Sequence, residues 1–316
     1  MVSVQIKWEY LWRNRCKKDD EKRMKRILIT GASGFIGRNL TEYFFDGYDV
    51  YAPSHAELDL KDADAVKQYL ERYNFDVVIH SANMNDVTYC LSPHDILDGN
   101  LRMFYHLESC SRLYGKMIYF GSGAEYDMQN YKPLMEEAYF GRHIPRDPYG
   151  FSKYTMHRIA EQSENIYDLI LFGVYGRYEQ FQRRFISNNI CKSILGKPMT
   201  LNKNAKLDYL YIDDLCKIVE WFLEHTPEHK CYNVCTGHPA DLFSLAQEIN
   251  EITGLQREII VSEEGWKPEY SGDNSRLLNE MGGFLFCDRK VAISSMVDYY
   301  CGQQEILYQK DCFDNF

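Results

Sequence analysis

Arg26–Thr30, RILIT, is a short run rich in β-branched and apolar residues, and it passes without a linker into Gly31-Ala32-Ser33-Gly34-Phe35-Ile36-Gly37. Helical spacing follows through Asn39, Leu40, Tyr43 and Phe44. A strand, a glycine turn and a helix in immediate succession restrict the fold more than any other feature of the chain. Glycines there permit a tight turn and close approach of the backbone to a ligand. The first turn of the helix offers unbonded N–H groups and the positive end of its dipole. A pyrophosphate suits that arrangement, so a dinucleotide site is expected; the plainer alternative is a tight βα turn with no ligand. The spacing is GxxGxxG and not GxGxxG, so the strand before and the helix after carry the inference.

The alternation continues. Asp49–Pro53 reads as a second strand, ELDLKDADAVKQYLERY (57–73) as a short strand and a helix, and Asp76–His80 as a strand. A long helix is expected over Asp95–Tyr114 and a strand over Lys116–Gly121. Strict alternation implies an α/β fold, a Rossmann-type doubly wound parallel sheet with helices on both faces. Ligands in such sheets lie beyond the carboxyl ends of the strands. The residues expected to hold the cofactor are therefore Gly31, Ser33, Gly34, Phe35, Ile36, Gly37, Ser54, His55, Asp59, Leu60, Ser81, Ala82 and Asn83, with Ser122 after a later strand. Asn100, Phe172 and Val174 are added to this set. An acid after the second strand would grip a ribose 2′-hydroxyl. Ser54 and His55 stand there instead, which favours NADP(H) over NAD(H) unless that loop plays no discriminating part.

With 316 residues the chain accommodates a dinucleotide-binding unit over 24–175 and a smaller substrate-binding unit over 176–316, interleaved with the sheet. Helices are expected near Phe181–Leu195, Asp213–His225 and Asp241–Thr253, with short strands at CYNVC and REIIV. Residues 1–23 hold a dense run of mixed charge and read as a non-core extension, a start assigned too far upstream, or a helix that packs on a partner subunit. The net charge of −10 opposes a nucleic-acid-binding face. No apolar run reaches the roughly 20 residues that span a bilayer, so no membrane association is expected. Ten cysteines without a repeated spacing, and no secretory signal, read as free thiols in a reducing cytoplasm. His225, His229, Cys231 and Cys235 have spacings that metal ligands can show, but they read as a helix end and a buried strand; no metal is expected.

Pro148-Tyr149-Gly150-Phe151-Ser152-Lys153 places a phenol and an ammonium four residues apart at an apparent helix start. Residues so spaced share one helix face. Either the pair is merely solvated, or the cation tunes the acidity of the phenol. TGASGFIG (30–37), YFGSGAEYD (119–127) and PYGFSK (148–153) together resemble the extended short-chain dehydrogenases that act on nucleotide sugars. DYLYIDDL (208–215) and NVCTG (233–237) extend the resemblance, and SRLLNEMG (275–282) does so faintly. Within that family PSHAELDLKDADAV (53–66) is most similar to GDP-fucose synthase and dTDP-4-dehydrorhamnose reductase, both reductases of 4-keto nucleotide sugars; His55 stands where the former has an arginine for the 2′-phosphate.

The resemblance implies that Ser122, Tyr149 and Lys153 are catalytic, that Tyr149 and Lys153 also contact the cofactor, and that the partner is a nucleotide-sugar substrate. A free tyrosine ionises near about pH 10. The lysine, with the charge of an oxidised nicotinamide, is expected to lower that value toward the working pH. Lys153 would hold the nicotinamide ribose, and Ser122 would hydrogen-bond the substrate oxygen. Substrate contacts are expected from Ser122, Gly123, Ala124, Arg177 and Arg184, although for any arginine near Phe181–Leu195 a charged helix face is an equal alternative.

Departures from the family pattern narrow the chemistry. The Asp-Glu pair of 4,6-dehydratases is replaced by Gly123-Ala124, and the cysteine of the fucose-synthase type by Ala124. The family's Arg-Pro-Phe-Asn-Val-Tyr-Gly appears as Ile170-Leu171-Phe172-Gly173-Val174-Tyr175-Gly176, without the asparagine. What remains is hydride transfer at a carbinol or ketone, most simply at C4. It serves an NADP(H)-dependent reductase or a C4 epimerase with retained NAD; a dinucleotide-binding regulatory protein without chemistry is the third alternative. A homodimer joined through two helices, one bearing Tyr149 and Lys153, is also implied. No motif specifies which sugar is bound.

Overall fold

The computed structural model describes residues 23–85 and 91–303. The extension expected over 1–23 lies, except for Arg23, outside the described residues. Six parallel strands form the central sheet: β1 (Arg26–Thr30), β2 (Asp49–Tyr51), β3 (Phe75–His80), β4 (Tyr114–Ser122), β5 (Ile166–Leu171) and β6 (Cys231–Val234). Their order is β6-β5-β4-β3-β1-β2, so the chain reverses direction across the sheet at β1. β1, β4 and β5 are buried almost throughout, as expected of strands covered on both faces. Successive side chains alternate between the faces. Ile27, Ile29, Val77 and Ile79 enter one core, while Leu28, Val78, Met117 and Tyr119 enter the other.

Four helices form the first four crossovers: α1 (Phe35–Phe44), α2 (Ala63–Tyr73), α3 (Pro93–Ser109) and α4 (Pro148–Gln162). Three have side-chain N-caps. Asp62 accepts from the Ala65 amide at 3.0 Å, Ser92 from Asp95 at 3.2 Å and Asp147 from Gly150 at 2.7 Å. Pro93 and Pro148 sit in first turns, where their missing N–H costs nothing. α1 is the exception: Gly34 caps it with no side-chain bond. Its first N–H groups thus face outward from the glycine turn.

Several expectations are corrected. No strand forms in ELDLK. Glu57 and Leu58 turn back to the Ser54 carbonyl, both at 3.0 Å, while Leu58 and Leu60 still bury against the sheet. Ser122 therefore closes the fourth strand, not the fifth. The helix expected to reach Tyr114 stops at Ser109, because Tyr114 pairs with Phe75 and begins β4. CYNVC supplies β6 of the central sheet, with Cys231 beside Asp168 and Val234 beside Leu171.

The rest of the second half carries α5 (Phe185–Ile194), α6 (Ile212–Glu224), α7 (Leu242–Thr253), α8 (Ser275–Met281) and α9 (Arg289–Cys301), with short two-stranded pairs such as Gly173–Tyr175 on Tyr209–Tyr211. No helix among the described residues is long and apolar enough to cross a membrane.

Candidate active site

The reversal of strand order at β1 opens a cleft of about 1390 Å³ at the carboxyl ends of β1, β3 and β4, and the second half reaches its wall with Arg184 and Tyr270. At its base the glycine turn leaves no room for side chains. Gly31 has φ +68°, and a Cβ there would lie 2.6 Å from the Ala82 amide. A Cβ on Gly37 would lie 2.3 Å from the Gly31 carbonyl. Asn83 Oδ1, on the cleft wall, is buried without a hydrogen-bond partner, an orphaned acceptor that a ligand group would satisfy. The uncapped α1, the bare turn and this acceptor fit a nicotinamide dinucleotide.

Of the residues expected to bind cofactor or substrate, all but four line the cleft. The Ser54 amide and hydroxyl both donate to Glu57 at 2.8 Å, so its hydroxyl is engaged by a carboxylate; His55 and Lys61 remain at that end. Asn100 bonds the amide and carbonyl of Met84, each at 2.8 Å, and staples the loop after β3 to α3. Gly123 lies beneath three rings: a Cβ there would be 2.8 Å from Phe172 and from the hydroxyls of Tyr131 and Tyr270. Arg177 stands outside, 4.0 Å from Asp213 and beside the Tyr178 ring.

Ser122, Tyr149 and Lys153 converge on the cleft. Ser122 ends β4 and opens a 3-10 turn as a capping box with Glu125; its Oγ accepts from Ala124 at 3.3 Å. Lys153 is buried, its Nζ donating to the Phe120 carbonyl at 2.8 Å and lying 4.7 Å and 5.6 Å from the ring centres of Tyr119 and Tyr149. Burial lowers its pKa to about 8 against the pull of Asp168 and Glu125. Burial holds the Tyr149 pKa above the ordinary value, and the groups that oppose burial are Ser122, Arg184 and Asn83. Arg184, at the start of α5, is a cation that opposes burial at the phenol, and the Lys153 ammonium lies beside the ring.

Beneath this cluster lies a buried ionic group that sequence reasoning missed. His157 Nδ1 is 2.7 Å from Glu125 and 3.2 Å from Asp168, with all three side chains almost fully excluded from solvent. Phe140 stacks on the imidazole, 3.6 Å between ring centres. His157, Asp168 and Cys231 place donor atoms within 4.8 Å of one another, and the His157 Nδ1 is already engaged by the Glu125 and Asp168 carboxylates. The spacings noted around His225 do not converge: His225 bonds the Trp221 carbonyl and the Cys235 thiol that of Gly272.

Burial, then Asp168, raises the Glu125 pKa to about 7, and the carboxylates hold His157 well above its ordinary value against burial. Glu179, also buried, is raised to about 7. Each group binds more protons in the native chain than in the unfolded one. Their contribution is fully present below the unfolded values, 4.5 for Glu and 6.5 for His, and is lost as pH rises through the folded ones. Lys153, lowered, acts in the opposite sense only above about pH 8. The midpoint of thermal unfolding is expected to fall between about pH 5.5 and about pH 8, and Glu125→Gln to flatten that fall; differential scanning calorimetry across the range checks both.

A glycine turn at the topological switch point, with serine, tyrosine and lysine meeting in one cleft, defines an NAD(P)-dependent enzyme of the extended short-chain dehydrogenase type. The chain belongs to the NAD dependent epimerase/dehydratase family, whose model matches residues 27–235. This is an NAD(P)-dependent family that modifies nucleotide sugars. The chain is 26% identical over 276 residues to GDP-6-deoxy-D-talose 4-dehydrogenase of Aggregatibacter actinomycetemcomitans, covering 81% of this chain and 91% of that protein. A GDP-mannoheptose C4 reductase of Campylobacter jejuni with NADP bound superposes at a TM-score of 0.76, with 18% identity, covering 89% of this chain and all (100%) of that one. A UDP-glucose 4-epimerase of Thermotoga maritima superposes at 0.74, with 19% identity over 89% of this chain and 100% of that one.

Tyr270, Arg146 and Lys61 also line the cleft and were missed. Tyr270 lies outside the motifs and the family match; Lys61 sits two residues beyond Asp59, within reach of the same argument.

Proposed function

We propose that this protein is an NADP(H)-dependent reductase of a GDP-linked 4-keto sugar, acting at C4. The observation that carries this is the make-up of the catalytic wall: Ser122 and Tyr149 stand beside Gly123 and Ala124, so neither position after the serine holds a carboxylate or thiol to move protons elsewhere on the sugar. The GDP-sugar relatives support the nucleotide, and His55 and Lys61, with no acid directly after β2, support the 2′-phosphate.

The glycine turn and the start of α1 would hold the cofactor pyrophosphate, and Lys153 and Asn83, on the cleft wall, would hold its nicotinamide end. When bound, the dinucleotide supplies the hydride that reaches the carbonyl carbon. Ser122 orients the carbonyl oxygen. Tyr149 gives that oxygen its hydroxyl proton, and the product is the alcohol; the phenolate left behind keeps the Ser122 hydrogen bond and the field of Arg184 until solvent returns the proton. Arg184 and Arg146, on the cleft wall, offer guanidinium groups to the substrate diphosphate. We further infer a homodimer through α3 and α4, whose outer faces expose Tyr105 and Phe151.

Purified protein given GDP-linked 4-keto sugars is expected to consume NADPH at 340 nm in preference to NADH. Stoichiometric NAD released from denatured protein, with no NADPH consumed, would overturn this in favour of a C4 epimerase.

A further inference from the structure

Ser122 closes β4, while Tyr149 and Lys153 stand near the start of α4. Residues 123–147, which join the two, hold only short 3-10 turns. Chain connection alone therefore leaves the distance from the serine to the phenol free to vary. Contacts across the gap must set it.

Three such contacts follow one another along α4. Gly150 lies against the turn after Ser122, since a Cβ there would be 2.8 Å from the Ala124 carbonyl. Lys153 Nζ donates to the Phe120 carbonyl at 2.8 Å. His157 Nδ1 meets Glu125 Oε1 at 2.7 Å. Tyr149, Lys153 and His157 follow one another at intervals of four, so they share one face of the helix.

Glu125 joins this row to the serine. Its second oxygen accepts the Ser122 amide at 3.5 Å, and the Ser122 hydroxyl oxygen accepts the Ala124 amide at 3.3 Å. This capping box fixes the serine backbone and leaves the hydroxyl proton for the substrate oxygen. The imidazole is held on Glu125 from two further directions. Phe140 covers one of its faces, and Asp168 approaches Nδ1 at 3.2 Å from β5. Asp168 is in turn wedged against β4, where a Cβ on Gly121 would collide with its Oδ1.

We propose that His157 is a positioning residue of the catalytic centre: through Glu125 it holds Ser122 at a fixed distance from Tyr149 and Lys153. One carbonyl oxygen must meet the serine and the phenol together, and a misplacement of about 1 Å costs about 10²-fold in rate. Neither His157 nor Glu125 lines the cleft, so dinucleotide affinity does not depend on them directly. The inference rests on Ser122 and Tyr149 acting as assigned above.

The test compares two substitutions in the full chain. Asparagine places its amide nitrogen near the Nδ1 position, and glutamine near the Nε2 position. His157→Asn therefore keeps a donor for Glu125, and His157→Gln moves it away. Both remove the imidazole and are expected to lower the unfolding midpoint alike. With NADPH and a GDP-linked 4-keto-6-deoxyhexose as probes, His157→Gln is expected to lose about 10²-fold in kcat, and His157→Asn less than about threefold. The NADPH dissociation constant, from fluorescence titration, is expected to stay within about twofold in both. Glu125→Gln/His157→Gln is expected to be no slower than His157→Gln, because the imidazole acts through the carboxylate. Equal kcat losses in the asparagine and glutamine variants, an unchanged kcat in His157→Gln, or additive losses in the double variant overturns the proposal. If His157→Gln fails to fold, Glu125→Gln is measured in its place. One acceptor oxygen cannot serve both the imidazole and the Ser122 amide, so kcat is expected to fall about tenfold at unchanged NADPH affinity, and no fall overturns the proposal. Full turnover in Tyr149→Phe or Ser122→Ala would instead remove the assignments on which the inference rests, a result separate from the comparison of asparagine with glutamine.

Discussion

Tyr149→Phe is expected to lower turnover by about 10³-fold while leaving dinucleotide affinity within about twofold. Phenylalanine keeps the ring and loses only the transferable proton. The fold around it has no reason to change, because α4 is fixed by the Asp147 cap and by Lys153 on the Phe120 carbonyl, neither of which involves the phenol oxygen. Steady-state rates with a 4-keto nucleotide sugar and a fluorescence titration with NADPH separate the two quantities. Since burial holds the Tyr149 pKa above its ordinary value, the group is protonated throughout the neutral range. Reduction is therefore expected to be level there and to decline only on the alkaline side. An acid limb in the neutral range would contradict this.

His157→Leu is expected to destabilise the fold by about 3–5 kcal/mol at neutral pH. The substitution leaves Glu125 and Asp168 facing each other in a space with essentially no water, and the cation that offset them is gone. Denaturant unfolding at about pH 7 measures the loss. The deficit is expected to persist at pH 5, because the contribution of His157 is fully present below its unfolded value of 6.5. A loss below about 1 kcal/mol at pH 7 would show that the three side chains do not form an ionic cluster. The same variant is expected to slow turnover, because Glu125 also accepts the Ser122 amide, at 3.5 Å.

What could be foreseen from the sequence was what lies close together along the chain. The strand, glycine turn and helix at 26–44 form one continuous signal, and the cleft follows from strand alternation. Tyr149 and Lys153 occupy adjacent turns of one helix. What could not be foreseen depends on distant packing. Asp168 sits in the apolar run IYDLIL and meets His157 and Glu125 only when β4, β5 and α4 assemble. Tyr270 lies in a segment without regular periodicity and gains meaning from the ladder at Asp208. Spacing along the helix reveals a neighbouring ammonium but not the desolvation that raises the Tyr149 pKa. The ELDLK strand failed because alternating leucines report burial, and a turn buries them as well as a strand does.

The position of β6 governs how the molecule can be made. Cys231–Val234 closes one border of the sheet, alongside Ile166–Leu171, so a nascent chain leaving the ribosome carries β5 with its outer hydrogen-bonding groups bare until those four residues emerge. During that interval a buried-type apolar strand is open to strands of other chains. A fragment ended before Cys231 would retain that condition permanently, and the sensible place to divide this protein is nowhere inside the stretch from β1 to β6.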